Sequence, residues 1–201
     1  MNESYFQLPL DKKQNLINAG YKLFAIYPYK KASMSAIAEE GNISKSLLFY
    51  YFKNKKEYYM FLFDTAIEFL NGEKVENING QSRDLFELVS ITVKHRMNLI
   101  HEYPYLYKFI TRAYYETFEE IRLELDKKKK VMLKVGKEDL LNIIDYDKFK
   151  NPDDVKVLIN IILCIAEGFM RGLEDMDMGK IMANTIEFEA MMESLKQYYY
   201  K

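Results

Sequence analysis

The chain has one cysteine, no tryptophan, four prolines and eight glycines in 201 residues. The lone Cys164 excludes an internal disulfide framework and any all-cysteine metal site, and it accords with a reducing cytosol. Its very apolar surroundings predict a buried, inert thiol. No apolar run reaches membrane-spanning length: the most apolar window, 155–166, is broken by Lys156 and Asn160. The opening residues MNESYFQLPLDKK have no apolar stretch behind a basic start, so no signal peptide is read there. A Gly-rich phosphate loop and a recognisable nucleophile arrangement are also missing, which leaves an enzyme without support. His95 and His101 are not one helical turn apart, and no cysteine or paired carboxylate stands at ligand spacing beside them, so neither a metal nor any other cofactor is expected. The expectation from these absences is a cytoplasmic, non-membrane protein that is not an enzyme.

What is present is helical. Hydrophobic residues make up 49% and charged residues 29%, a globular balance. With so few prolines and glycines, apolar residues recur at three- and four-residue steps over long stretches, which predicts an all-α chain of about nine helices. The net charge of -1 hides an asymmetry: residues 1–60 hold nine lysines against five carboxylates, leaving the head at +4 and the remainder at -5. A basic head on an acidic body suits a protein that presents one end to phosphates. The step NGEKVENINGQS, residues 71–82, reads as the clearest loop. The runs Lys127 to Lys130 and Glu119-Glu120 read as solvated surface.

The stretch SMSAIAEEGNISKSLLFYYFKNK, residues 33–55, reads as two short helices joined by a tight turn. Ser33 and Ser44 are candidate N-caps, because their hydroxyls can accept a backbone N–H that has no partner inside the helix. Gly41 and Asn42 tolerate a left-handed turn. Leu48, Tyr51 or Phe52, and Ile43 point back at the preceding helices, and Lys45, Ser46, Leu47 and Phe49 or Tyr50 are left on the opposite face. Position by position, IAEEGNISKSLLFYYFKNK resembles the signature of the TetR/AcrR family of bacterial one-component transcription regulators. The resemblance covers roughly the first sixty residues, and the rest only in length and helical character. It implies a three-helix helix-turn-helix DNA-binding domain at 1–55 and a larger effector-binding and dimerisation domain at 56–201. It makes Lys45, Ser46 and Leu47 the base-reading positions and Tyr51 and Lys55 phosphate contacts, with Ser33 and Ser35 touching the DNA backbone and Ser44, Phe49 and Tyr50 completing the surface. Hydroxyls, lysines and helix N-termini position a protein on phosphates, whereas the exposed start of the second helix reads sequence. Phe49 stands where the family commonly has a tyrosine, and Asn42 where glycine is usual.

The resemblance also implies three partners: a palindromic double-stranded DNA operator, a second copy of the chain, and a small-molecule effector of unknown identity. The aromatic and methionine supply suits an apolar or amphipathic effector, with Met97, His101, Tyr105, Phe109, Tyr114, Phe118, Met132 and Phe169 as candidate contacts. The last two helices form the candidate homodimer surface, with Ile161, Ile165, Gly168, Phe169 and Gly172 on one and Met182, Ile186, Glu189 and Met192 on the other. The expected activity is that of a ligand-released repressor. The alternatives are a DNA-binding factor of the same kind without an effector, acting through DNA architecture or a protein partner, and an all-helical enzyme or lipid carrier.

Overall fold

The computed structural model describes residues 2–71, 82–172 and 178–201, without the side chains of 132–137, 170–172 and 178. The expected 71–82 loop therefore lies outside the described residues except at its two ends, and so do the side chain of Met132 and the surroundings of Gly172. Nine α-helices are described: α1 (Leu10–Ile26), α2 (Met34–Glu40), α3 (Lys45–Tyr51), α4 (Lys55–Asn71), α5 (Leu85–Glu102), α6 (Leu106–Tyr114), α7 (Glu119–Ile143), α8 (Val155–Gly172) and α9 (Met178–Tyr199). Short 3-10 turns lie at Glu3–Tyr5, Tyr146–Lys148 and Pro152–Asp154. Among the described residues the only β-structure is an isolated antiparallel bridge between Phe149 and Tyr200.

By packing, the chain divides into two units, one of Met1–Leu70 with Leu99–Lys129 and one of Asn71–Asn98 with Lys130–Lys201. The first thus takes in α6 and the first turns of α7 along with the head. Its interior is a run of aromatic rings. Phe24 lies 4.7 Å from Tyr59 and 6.3 Å from Phe109, Tyr21 lies 5.0 Å from Phe109, and Phe52 lies 4.7 Å from Tyr58. Two tyrosines tie α1 to α4 reciprocally: the Tyr58 hydroxyl donates to the Leu16 carbonyl at 2.6 Å, and the Tyr21 hydroxyl to the Leu62 carbonyl at 3.2 Å. Both hydroxyls are buried, so each needs such a partner. Burial also pushes both phenols well above their ordinary pKa, which keeps them donors at any physiological pH. Gly20 makes the close approach possible, since a methyl there would sit 2.4 Å from Leu62 Cδ1 and 2.5 Å from Tyr58 Oη.

The second unit buries Leu85, Leu88, Ile144, Phe149, Val155, Leu158, Ile159, Phe188 and Met192. Its polar anchor is Asp84, 8% exposed. One carboxylate oxygen accepts the Phe86 and Glu87 amides at 2.9 and 3.0 Å and caps α5, and the other accepts Lys148 Nζ at 2.8 Å. Tyr200 donates its hydroxyl to the same group at 3.2 Å, and its ring packs 4.8 Å from Phe149. Desolvation pushes the Asp84 carboxyl up, but Lys148, the Glu87 amide and Tyr200 together outweigh it and hold the pKa below the ordinary value.

Three expectations about burial and surface change. Cys164 is exposed, because it lies on the outer side of α8 while Leu158, Ile159 and Ile162 take the inner side. Lys128 pairs with Asp64 at 2.6 Å, and Lys129 reaches the Tyr114 carbonyl at 2.8 Å, so two of the four lysines in that run turn inward. Glu120 accepts the Tyr29 hydroxyl at 2.8 Å and is not a bare surface carboxylate.

Gly20→Ala is expected to cost about 1–3 kcal/mol from overpacking, read as a lower midpoint in urea unfolding. Asp84→Ala is expected to cost about 2 kcal/mol at neutral pH through loss of the cap and the charged hydrogen bonds, and Asp84→Asn less, because the amide oxygen still caps. The advantage of wild type over Asp84→Asn should be full above the unfolded carboxyl value of 3.8 and vanish as the pH falls through the lower folded value. Unfolding curves at a series of acid pH values check this.

Candidate nucleic-acid interface

Residues 33–55 fold as two short helices around a tight turn, and both serine caps form. Ser33 Oγ accepts the Ala36 amide at 3.4 Å and Ser44 Oγ the Leu47 amide at 3.1 Å. The turn divides its labour between its two residues. Asn42 alone adopts the left-handed conformation, with φ 54°, while Gly41 has φ -81°. Gly41 supplies space instead: a methyl there would lie 3.2 Å from Leu16 Cδ1 and 3.3 Å from the Ile37 carbonyl oxygen. Lys22 on α1 pairs with Glu40 at 2.7 Å and fixes the end of α2 to its support.

Helix α3 is two-faced. Leu48 is buried, and so is Phe52 just beyond the helix, while Lys45, Ser46, Leu47, Phe49 and Tyr50 are exposed together on the outer side with Ser44 at their head. The Ser44 and Ser46 hydroxyls lie 3.0 Å apart and share one hydrogen bond, so the cap also orients Ser46. Ser33 and Ser35, at the start of α2, are exposed as well.

Two expected phosphate contacts are placed differently from the rest. Tyr51 is 6% exposed, with its ring against Tyr5 and Tyr50, so its first role is packing; Tyr50, 57% exposed, is the outward aromatic of that turn. Lys55 is half-buried. It donates to the Lys30 carbonyl at 3.2 Å and lies 4.7 Å from the centre of the Tyr29 ring, and desolvation lowers its pKa while Glu120 offsets part of the effect. Tyr29 is in turn bonded to Glu120, and its amide approaches Glu116 at 3.4 Å.

Sequence reading missed two elements of this head. The segment YPYKKAS carries Tyr29, a buried residue that joins the α1–α2 connection to α7. The opening residues carry Tyr5, buried among Tyr51, Phe52 and Phe61. The signal in both cases was an aromatic residue in a polar stretch.

The eight candidate effector residues fall in both packing units. Phe109 is fully buried in the aromatic interior of the first, where Tyr105, Tyr114 and Phe118 are half-buried and His101 is exposed. Phe118 faces Tyr29 at 5.6 Å, and Tyr114 carries Lys129 over its ring at 5.1 Å. In the second unit Phe169 packs on Phe188 at 5.4 Å, and Met97 Sδ accepts the Thr185 hydroxyl at 3.4 Å. Of the candidate dimer residues, Met192 belongs to the interior of its own unit, because it lies on the face of α9 that carries Phe188. Ile161, Ile165 and Phe169 are half-buried, whereas Gly168, Met182, Ile186 and Glu189 are exposed.

Residues 16–58, from α1 to the first turn of α4, match the bacterial regulatory proteins, tetR family. Over that segment the chain is similar to the TetR family. An uncharacterized HTH-type transcriptional regulator of Bacillus subtilis (strain 168), YhgD, is 23% identical over 99 residues, 46% of this chain and 52% of that protein. The match thus spans about half the length of that curated relative. Solved regulators share the fold along nearly the whole length. The SmeT–triclosan complex has a TM-score of 0.66 at 13% identity, covering 96% of this chain and 93% of that one. A transcriptional regulator from Aquifex aeolicus VF5 has a TM-score of 0.62 at 18% identity, covering 94% and 99%. The family match and the capped turn agree on the same stretch: the matched residues contain both helices, both caps and the outward face of α3.

Proposed function

We propose that the chain is a ligand-responsive transcriptional repressor, a cytoplasmic homodimer that grips a palindromic operator with its two heads and is released by a small apolar or amphipathic effector. The observation that carries this reading is the outward face of α3, where Ser44, Lys45, Ser46, Leu47, Phe49 and Tyr50 stand clear of the core behind a satisfied cap. Lys45 and Ser46 read base edges, Leu47 offers an apolar contact to a thymine methyl, and Ser33 and Ser35 meet the DNA backbone from the start of α2. Tyr50 takes the phosphate role first assigned to Tyr51, which contributes through packing. Lys55 reaches a phosphate only by leaving the Lys30 carbonyl and the Tyr29 ring, so its contact competes with an internal one.

The division of roles at residue 55 follows from this reading: residues 1–55 hold the DNA and 56–201 receive the effector and the second subunit. Two-fold symmetry is needed because one short helix reads only a few base pairs. The exposed apolar residues of α8 and α9 support a dimer through these helices, since Met182 and Ile186 are 58% and 67% exposed and Val157 and Leu163 are also uncovered. For the binding of a small ligand, the triclosan complex of SmeT offers a precedent in a protein of the same fold. The effector acts only as far as it prefers the conformation that does not bind DNA. No described helix is long and apolar enough to cross a membrane.

Lys45→Ala combined with Ser46→Ala is expected to weaken binding to DNA selected from a random pool by about tenfold or more while leaving weak binding to scrambled DNA in place. Unchanged affinity for the selected duplex would remove the base-reading assignment. Lys55→Ala should reduce the slope of log affinity against log salt by about one if its phosphate contact forms; an unchanged slope would make Lys55 purely structural. Ile186→Asp, on an exposed position that tolerates charge in a monomer, should shift the sedimentation mass from dimer to monomer with helicity retained.

A further inference from the structure

We propose that residues 2–8 form a hook that fixes the direction of the DNA-reading helix α3, so that Tyr5 and Asn2 are positioning residues for base recognition. The inference rests on the DNA-binding reading above and concerns residues ahead of the family-matched stretch 16–58. Helix α3 has seven residues, two turns that span roughly 10 Å. A helix of that length does not hold itself together in water, so its direction is set by what it packs on. Its first turn is held by the Ser44 cap and the turn from α2. Its last turn is held by the hook. The Asn2 amide donates to the Tyr51 carbonyl at 2.8 Å, satisfying one of the terminal carbonyls that a helix leaves without an internal partner. Tyr5, buried, lays its ring 6.0 Å from Tyr51, 5.2 Å from Phe52 and 5.0 Å from Phe61, bridging the end of α3 and the body of α4.

The hook is itself tied down. Asn2 Oδ1 accepts the Ser4 amide at 3.1 Å and the Ser4 hydroxyl at 2.9 Å, which closes the 3-10 turn, and Lys13 Nζ on α1 donates to the Phe6 carbonyl at 2.6 Å. The segment therefore spans α1, α3 and α4 as a strut. Without it α3 keeps Leu48 and its cap but loses the clamp on its C-terminal turn, and a small tilt there moves Lys45 and Ser46 off their base edges. Phosphate contacts made by flexible lysines adapt to such a tilt, whereas base contacts do not. Loss of the hook should thus erode specificity and spare non-specific binding.

The test compares two duplexes at one salt concentration, one enriched by the wild-type protein from a random pool and one with the same bases scrambled. Tyr5→Ala and Asn2→Pro, the latter removing both the amide donor to Tyr51 and the Oδ1 acceptor that closes the turn, should each lower the ratio of the two affinities about tenfold, the worth of one base contact, with scrambled-DNA binding unchanged. Tyr5→Phe, which keeps the ring, should restore the wild-type ratio. Circular dichroism and thermal melting establish that the variants are folded, and if Tyr5→Ala is not, Asn2→Pro alone carries the test. An unchanged ratio in a folded variant, or an equal loss on both duplexes, would overturn the inference. A wild-type protein that enriches no sequence at all would sink the DNA-binding reading, and the hook's role with it.

Discussion

The head depends on one crossing, where α1 and α4 meet at Gly20 and Tyr58. Each helix sends a tyrosine hydroxyl into a carbonyl of the other, Tyr58 to Leu16 and Tyr21 to Leu62, inside an interior made largely of aromatic rings. Apolar rings alone pack acceptably in several registers. Two buried hydroxyls that must each find an acceptor restrict the choice to one, because a one-turn slip would strand both. Everything that faces outward inherits that register: α2 is held to α1 by Lys22 and Glu40, and α3 rests on Phe52 and Leu48 against the same interior.

Much of this was legible in the sequence, for identifiable reasons. Periodicity gave the helices, since interior positions such as Leu16, Ala19, Leu23 and Phe24 recur at the helical step, and hydroxyl caps gave the starts of α2 and α3. The outward face of α3 followed from subtraction once Leu48 and Tyr51 or Phe52 were turned inward. What periodicity could not reveal were contacts made by single residues in irregular segments. Tyr5 and Tyr29 sit in short polar stretches with no repeat to reveal a buried side, and each is placed by a partner far along the chain. The phosphate role that the resemblance gives Tyr51 meets a related difficulty: its place on α3 is ambiguous by period alone, and no repeat marks Tyr5, whose ring packs on it. Cys164 erred the other way, because an apolar segment predicts burial on average and does not say which side of the helix looks out.

Charge is spent differently in the two units. In the second, Asp84 gathers a helix cap, a lysine and a tyrosine at one buried point, and the bridge between Phe149 and Tyr200 closes beside it. In the first, several lysines that make the head basic are already engaged internally: Lys13 with the Phe6 carbonyl, Lys22 with Glu40, Lys55 with the Lys30 carbonyl. The formal charge of the head therefore overstates what it can offer a phosphate. The link from Lys55 through Tyr29 to Glu120 also means that a shift of α7 reaches Lys55 through two contacts.

The two letters Gly41 and Asn42 form a word whose order matters. The left-handed backbone falls on the asparagine, and the tight space falls on the glycine. Transposing them would press a side chain to within 3.2 Å of Leu16 and 3.3 Å of the Ile37 carbonyl and give the freest residue to the position where an asparagine already limits the unfolded chain. The pair would keep its composition and its turn propensity and lose its meaning, so a pattern that scores the two positions as interchangeable turn formers misreads how this head closes.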